Sequence, residues 1–193
     1  EQCKEAISVA LELAIVKGNG LLQPVGLMKD LSKTSVDQST GRDVTVYNTD
    51  KQAIVDLSTL TPDNAPALLV PVMKHLSVSD KGKQLNIKGK VALLLNPEET
   101  WALEAKFTSR NQLGEYVTVL PHGITIISSL AVDSGKAIVF VKDRYDAFMA
   151  TNTTVEEYDQ TFAVEDLQLY LTKSFFYGIA KDNHAAAVVT LAG

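Results

Sequence analysis

Cysteine, clustered positive charge and long apolar runs are all scarce in this chain, and each shortage removes a class of protein. Cys3 is the single cysteine among 193 residues, so no intrachain disulfide can form. Its place in a helical pattern marks it as a small buried hydrophobe, not a nucleophile. His75, His122 and His184 stand far apart, with no His-x-x-x-His or cysteine partner at ligand spacing, which excludes the common zinc patterns. The 18 Lys and Arg residues are interspersed among 23 Asp and Glu, for a net charge of −5. Phosphate-gripping proteins release counterions through clustered basic side chains, so sequence-specific nucleic-acid binding is not expected. No apolar run approaches the roughly 20 residues of a bilayer span, and no charged-then-apolar leader opens the sequence, so no membrane partner is expected. Asn152-Thr153-Thr154 matches a glycosylation sequon, but without a secretory leader the match has no mechanism behind it.

Catalytic signatures are equally sparse. Gly82 and Gly89 are separated by six residues where a phosphate loop has four, and Val91 stands where a magnesium-binding Ser or Thr is needed. Ser128 and His122 could be drawn with an aspartate as a hydrolase triad, but no Gly-x-Ser-x-Gly elbow accompanies them. Asp143, Arg144 and Tyr145 follow an apolar strand, a place where α/β active sites often lie. A surface ion pair accounts for them, and a helix N-terminus accounts for Glu98 and Glu99. The sequence therefore assigns no catalytic, cofactor-binding or metal-ligating residue, and the chain is not expected to be an enzyme or to need a cofactor.

What is present is enough apolar material, 46% of residues, for one sizeable core or two lobes sharing one. The organising stretch is Leu13 to Met28. Ahead of it, Glu1, Glu5, Ser8 and Glu12 form one narrow polar stripe at helical spacing, while Ala6, Val9, Ala10, Leu13 and Val16 leave the other faces apolar. This predicts a helix with only a sliver in water. Lys17 favours the C-terminal dipole, Gly18 is placed for a left-handed C′ residue, Asn19-Gly20 permits a second reversal, and Pro24 forbids resumption.

The polar segment to Asp43 and the alternation around Val44 and Val46 predict a loop and a short strand. Thr61-Pro62-Asp63-Asn64 has the form of an N-cap, an N1 proline and a first-turn acid. Ala65, Leu68, Leu69, Val72, Met73 and Leu76 then give an apolar helix face that Pro71 must kink or restart. Ser79 to Lys90 is a solvated turn. Val91 to Leu95 is a strand buried on both faces, followed by an Asn96-Pro97 helix start in which Glu99 at N3 can reach back to the Asn96 backbone. Ile124 to Ser129 and Ala137 to Val141 are strand-like after turns at Gly123 and Asp133 to Lys136, and short strands with one or two helices make an α+β layer. From Thr151 the strands become long and alternating: Thr153 to Thr161, then Leu167 to Tyr177, then Ala185 to Val189.

Gly18-Asn19-Gly20 followed by Gln23-Pro24-Val25-Gly26-Leu27 resembles the segment that ends the long spine helix in major capsid proteins of tailed bacteriophages with the HK97-type fold. Leu94 to Trp101 resembles that family's strand running into an Asn-Pro helix start. Gly114-Glu115-Tyr116 leading through Leu120-Pro121-His122-Gly123 is similar to the family as well, and so is the closing run of long strands. These matches occur in one order over nearly the whole chain.

The resemblance implies an α+β HK97-like capsid fold. A peripheral lobe, residues 1–60 and 147–183, would hold the spine helix and long strands, and an axial lobe, residues 61–146 and 184–193, a small mixed sheet flanked by helices. It implies a structural subunit of an icosahedral phage or prophage capsid that assembles in the bacterial host cytoplasm into hexamers and pentamers enclosing the DNA genome. Its partners would be copies of itself, with portal, scaffold or maturation protease in the full assembly. An encapsulin-type nanocompartment shell shares the fold, and a soluble α+β enzyme or ligand-binding domain is the third reading; the Gln-Pro turn favours the phage branch. Some members join a lysine of an extended loop to a neighbour's asparagine with help from a glutamate in the long strand. Leu167 to Tyr177 contains no glutamate, so covalent cross-linking is not expected. The helix opens at Glu1 without a capping residue, as a helix continuing upstream would. In the family an N-terminal arm and extended loop lie upstream and clasp neighbours, so residues 1–193 alone are expected to sediment as monomers or small oligomers. Sedimentation velocity checks this, and shell-sized particles would refute it.

Overall fold

The computed structural model describes the backbone of residues 2–149, 154–162, 167–173 and 175–191, and the side chains of residues 5–149 and 175–191. At its centre is a mixed sheet of five strands: β3 (Ala53–Asp56), β13 (Ala186–Thr190), β8 (Lys136–Val141), β4 (Val91–Leu95) and β7 (Thr125–Ser128), in that spatial order. The two outer pairings, β3 with β13 and β4 with β7, are parallel, and the inner ones are antiparallel. Four two-stranded ribbons complete the β structure. They are β1 (Ser35–Asp37) with β2 (Val44–Val46), β5 (Thr108–Arg110) with β6 (Tyr116–Thr118), β9 (Tyr145–Met149) with β12 (Phe176–Ala180), and β10 (Thr154–Phe162) with β11 (Leu167–Lys173).

The period-two alternation of the central strands divides the core between the two sheet faces. Val91, Leu93, Leu95, Val139, Ala187 and Val189 turn to one face. There they meet α2 (Ala65–Leu68), α3 (Val70–Leu76) and α4 (Pro97–Phe107) through Ala65, Leu69, Val72, Leu76, Leu103 and Phe107. Leu94, Ile138, Ala186 and Val188 turn to the other face, against Leu27, Met28, Ala131, Val132 and Val16 of α1 (Gln2–Lys17). All five residues of β4 are buried, as its continuous apolar run predicts.

Pro71 does restart the helix: α2 ends and α3 begins around Leu69, with the proline in the first turn, where its missing N–H costs nothing. The start lies later than the sequence implies. Thr61 to Asn64 form a turn closed by the Ala65 N–H to the Thr61 carbonyl at 2.9 Å. The Asn64 side chain accepts from the Thr61 N–H and donates to the Thr59 carbonyl, so it fastens the loop in place of capping a helix from Thr61. At α4 the cap is as expected, Asn96 accepting from the Glu98 N–H, but Glu99 does not reach back to Asn96. Its Oε1 accepts the Gly135 N–H at 2.5 Å and fixes the turn that launches β8. The run from Leu167 to Tyr177 is two strands: β11 ends at Lys173, and β12 begins at Phe176 and pairs with β9. The side-chain faces expected for Thr153 to Thr172 lie outside the described residues.

The largest departure is at α1. Among residues 5–17 only Val16 is buried; Val9 and Leu13 are 46% and 48% exposed. Among the described residues the helix is buried only in its last turn, and the apolar faces of its earlier turns are exposed. Nor does Gly18 take a left-handed C′ conformation, which falls instead to Gly20 at φ +88°. Gly18 is required by close approach: a Cβ there would lie 2.2 Å from the Pro24 carbonyl oxygen. Gly26 faces the same constraint, because the chain doubles back onto the helix end. The Gly26, Leu27 and Met28 N–H groups donate to the Gly18, Ile15 and Val16 carbonyls at 2.7, 2.9 and 3.1 Å. A Cβ on Gly26 would meet Val16 O at 2.5 Å and Gly18 N at 2.8 Å, both backbone atoms that cannot swing away. Gly26→Ala is expected to cost about 3 kcal/mol. Gly82→Ala, where a Cβ meets open space and only the φ of +76° is strained, should cost about 1 kcal/mol. Urea midpoints of the two variants check the ranking.

Candidate functional site

Two features stand out from the core: a buried polar centre and a set of exposed apolar faces. The centre is built on Arg144. Arg144 is only 6% exposed, which overturns the surface ion pair expected there; of the three residues 143–145 only Asp143 makes one, with Lys90 at 2.5 Å. Arg144 grips both carboxylate oxygens of Asp182, and its Nη1 donates to the carbonyls of Leu76 at 2.6 Å and His184 at 3.2 Å. The planar fork satisfies the last turn of α3 and the link between β12 and β13 at once.

That link is held from other sides too. Asp80 accepts the N–H groups of Asn183 and His184 at 2.9 and 3.2 Å, and the Asn183 amide donates to Asp30 at 3.0 Å. The Ser32 hydroxyl, donating to Asp30, holds that carboxyl below its usual range. Lys51 donates to the Ala186 carbonyl at 3.0 Å, and burial pulls its ammonium down to about 8. His75 meets His184 edge-on with ring centroids 4.2 Å apart, and burial lowers its pKa. Tyr145, the residue after Arg144, packs with the core around Val16 and Leu27 and donates its hydroxyl to the Val25 carbonyl at 3.1 Å, and burial raises its pKa.

This centre joins distant segments of the chain. Its ionic groups are engaged with each other and with backbone carbonyl and N–H groups. His122 and Ser128 flank opposite ends of β7, a strand rising about 3.3 Å per residue, and the His122 ring nitrogen is engaged by the Pro66 carbonyl at 3.0 Å. They are not brought together. Among the described residues, no three His, Cys, Asp or Glu side chains are placed to hold a metal ion, and no helix is long and apolar enough to cross a membrane.

The exposed faces are more distinctive. Beside Val9 and Leu13 on α1, Trp101 of α4 is 73% exposed, as are Leu113 and Tyr116 at the β5–β6 ribbon for the larger part of their surfaces. Sequence reasoning passed over Trp101, although the spacing signals it. Thr100, Leu103 and Phe107 form the buried face of α4, which leaves position 101 outward with Glu98 and Glu104 at i−3 and i+3.

No family model matches the sequence, and no curated protein matches it. Solved structures do. The chain is similar to the capsid of the empty GTA particle at 12% identity and a TM-score of 0.57, covering all of this chain and 64% of that one. The capsid of the native GTA particle gives 12% and 0.58 with the same coverage. A chain from Gordonia phage Cozz gives 17% identity and 0.54, covering all of this chain and 62% of that one. At such identities the likeness is one of fold, and it establishes that the α+β arrangement described above is the HK97-like capsid fold. The chain spans somewhat under two thirds of the length of the proteins it matches.

Arg144→Met removes the cation while leaving Asp182 and the Leu76 and His184 carbonyls in place. Breaking one side of such a buried pair costs about 3–5 kcal/mol. Chemical denaturation is expected to show that loss, and a change under about 1 kcal/mol would remove Arg144 from its structural role.

Proposed function

We propose that this chain is part of a structural subunit of an icosahedral phage or prophage capsid, assembling with copies of itself into hexamers and pentamers around a DNA genome. The observation that carries the reading is a capsid fold matched along the entire chain at TM-scores of 0.54 to 0.58. It agrees with a helix and a ribbon that leave large apolar side chains in solvent, since extended apolar surface on one subunit is what an assembly interface needs. The net charge of −5 fits a shell interior, where a basic wall would hold packaged DNA fast.

Within the subunit, residues 1–60 and 147–183 form the peripheral lobe and residues 61–146 and 184–193 the axial lobe, with β3 reaching from the first into the axial sheet. The link gripped by Arg144 and Asp80 then lies where the chain crosses between lobes. Assembly takes place in the host cytoplasm, and portal, scaffold or maturation protease are the partners of the complete particle. The subunit has no catalytic role. Neighbours are joined without covalent bonds, since the stretch Leu167 to Tyr177 offers no glutamate to promote cross-linking.

Electron microscopy of the intact protein after expression in a bacterial host tests the proposal. Closed shells of uniform size are expected, and denaturing gels of those shells should show a single monomer band. A protein that stays monomeric at high concentration would contradict the reading, and a ladder of covalent oligomers would contradict its non-covalent part.

A further inference from the structure

On the helical side of the sheet, α3 and the segment 85–88 enclose an open groove of about 370 Å³. Val70, Met73, Leu85 and Ile87 line it, and Lys74 and Lys88 are among its residues. Both lysines are exposed, and neither forms an ion pair with a described residue. Val72 and Leu76 pin α3 to the sheet, so the helix cannot shift to close the groove.

The matching surface is on α4. Trp101 is 73% exposed and cannot turn inward, since Thr100, Leu103 and Phe107 already commit the opposite face to the core. An aromatic ring of this kind carries about 150–250 Å² of surface to bury. Glu98 and Glu104, one helical turn to either side, likewise have no ion-pair partner among the described residues. An apolar knob between two acids and an apolar groove with two lysines are complementary in shape and in sign. The α4 face also continues directly into the β5–β6 ribbon with exposed Leu113 and Tyr116, so the protruding surface extends past the tryptophan.

We propose that the groove between α3 and residues 85–88 receives the Trp101 face of α4 from a second copy of this chain. The proposal rests on the shell-subunit reading and specifies one of its contacts. Knob and groove are different patches of one subunit, so the contact is head-to-tail, and repetition gives a ring wherever the rotation closes. Trp101 is the buried anchor, and the Glu98/Glu104 and Lys74/Lys88 pairs form the polar rim that sets register.

The test uses the intact protein and reads the concentration at which particles form at low salt. Trp101→Ala is expected to raise it about tenfold or more. Lys74→Glu with Lys88→Glu, and separately Glu98→Lys with Glu104→Lys, should each raise it several-fold, and all four substitutions together should restore it to within about twofold because opposite signs again face each other. About 0.5 M salt should erase the differences among charge variants and leave the tryptophan effect intact. Circular dichroism and melting of the variants check that subunits still fold; should Trp101→Ala not fold, the fourfold variant decides. Unimpaired assembly of a folded Trp101→Ala variant, or a fourfold variant as defective as either pair, overturns the docking while wild-type particles keep the shell reading. An intact wild type that forms no particles overturns both.

Discussion

The carbonyl groups that end α1 have to find donors, and the way they do so fixes the arrangement around them. A helix normally closes on a left-handed residue or on water. Here the chain makes a loop through Gly20 and Pro24 and returns against the end of its own helix, so that residues 26–28 donate to carbonyls of residues 15, 16 and 18. The two backbones touch at Gly18 and Gly26, where no Cβ fits. Because the returning strand is held so closely, its remaining groups serve as anchor points. The Val25 N–H donates to Gly178 of β12, the Asn19 carbonyl accepts from Tyr47 beyond β2, and the Met28 carbonyl accepts from Lys51 ahead of β3. One helix terminus thereby sets the position of three strands that are remote in sequence.

The polar centre has a comparable role at the link from β12 to β13, with a different currency. A neutral loop could have crossed from β12 to β13, but this link is fastened by a guanidinium, a carboxylate and an ammonium. Each ion is expensive to desolvate alone, and the group is stable only when the whole set is present. The link is therefore held in one geometry.

Local signals carried most of the elements and few of their relationships. The Asn96-Pro97 start, the Pro71 restart, the buried run Val91 to Leu95 and the turn into Lys136 each follow from a few adjacent residues, and each stands where the pattern puts it. β1, β3, β5, β6 and β9 do not follow from the sequence, because none of them shows the apolar alternation that marks the short β2 at Val44 and Val46. The burial of Arg144 was illegible, since its partners are 38 and 68 residues away. The exposure of α1 was misjudged for a deeper reason: an apolar helix face reports that something should cover it, not that the same subunit does. Trp101 was legible from the spacing of Thr100, Leu103 and Phe107, and the groove it is proposed to enter was not, being assembled from α3 and a loop with no pattern of its own.

The position of β13 has a consequence for the order of events during synthesis. It is an interior strand, hydrogen-bonded to β3 on one side and β8 on the other, and the bond from Thr190 to Asp56 spans 134 residues. A ribosome must therefore deliver residue 190 before β3 has any neighbour in the sheet, and until then the edge of β8 stays open. Contacts of such long sequence separation form slowly. Until that contact forms, β8 offers a row of unpaired N–H and C=O groups to any other strand nearby.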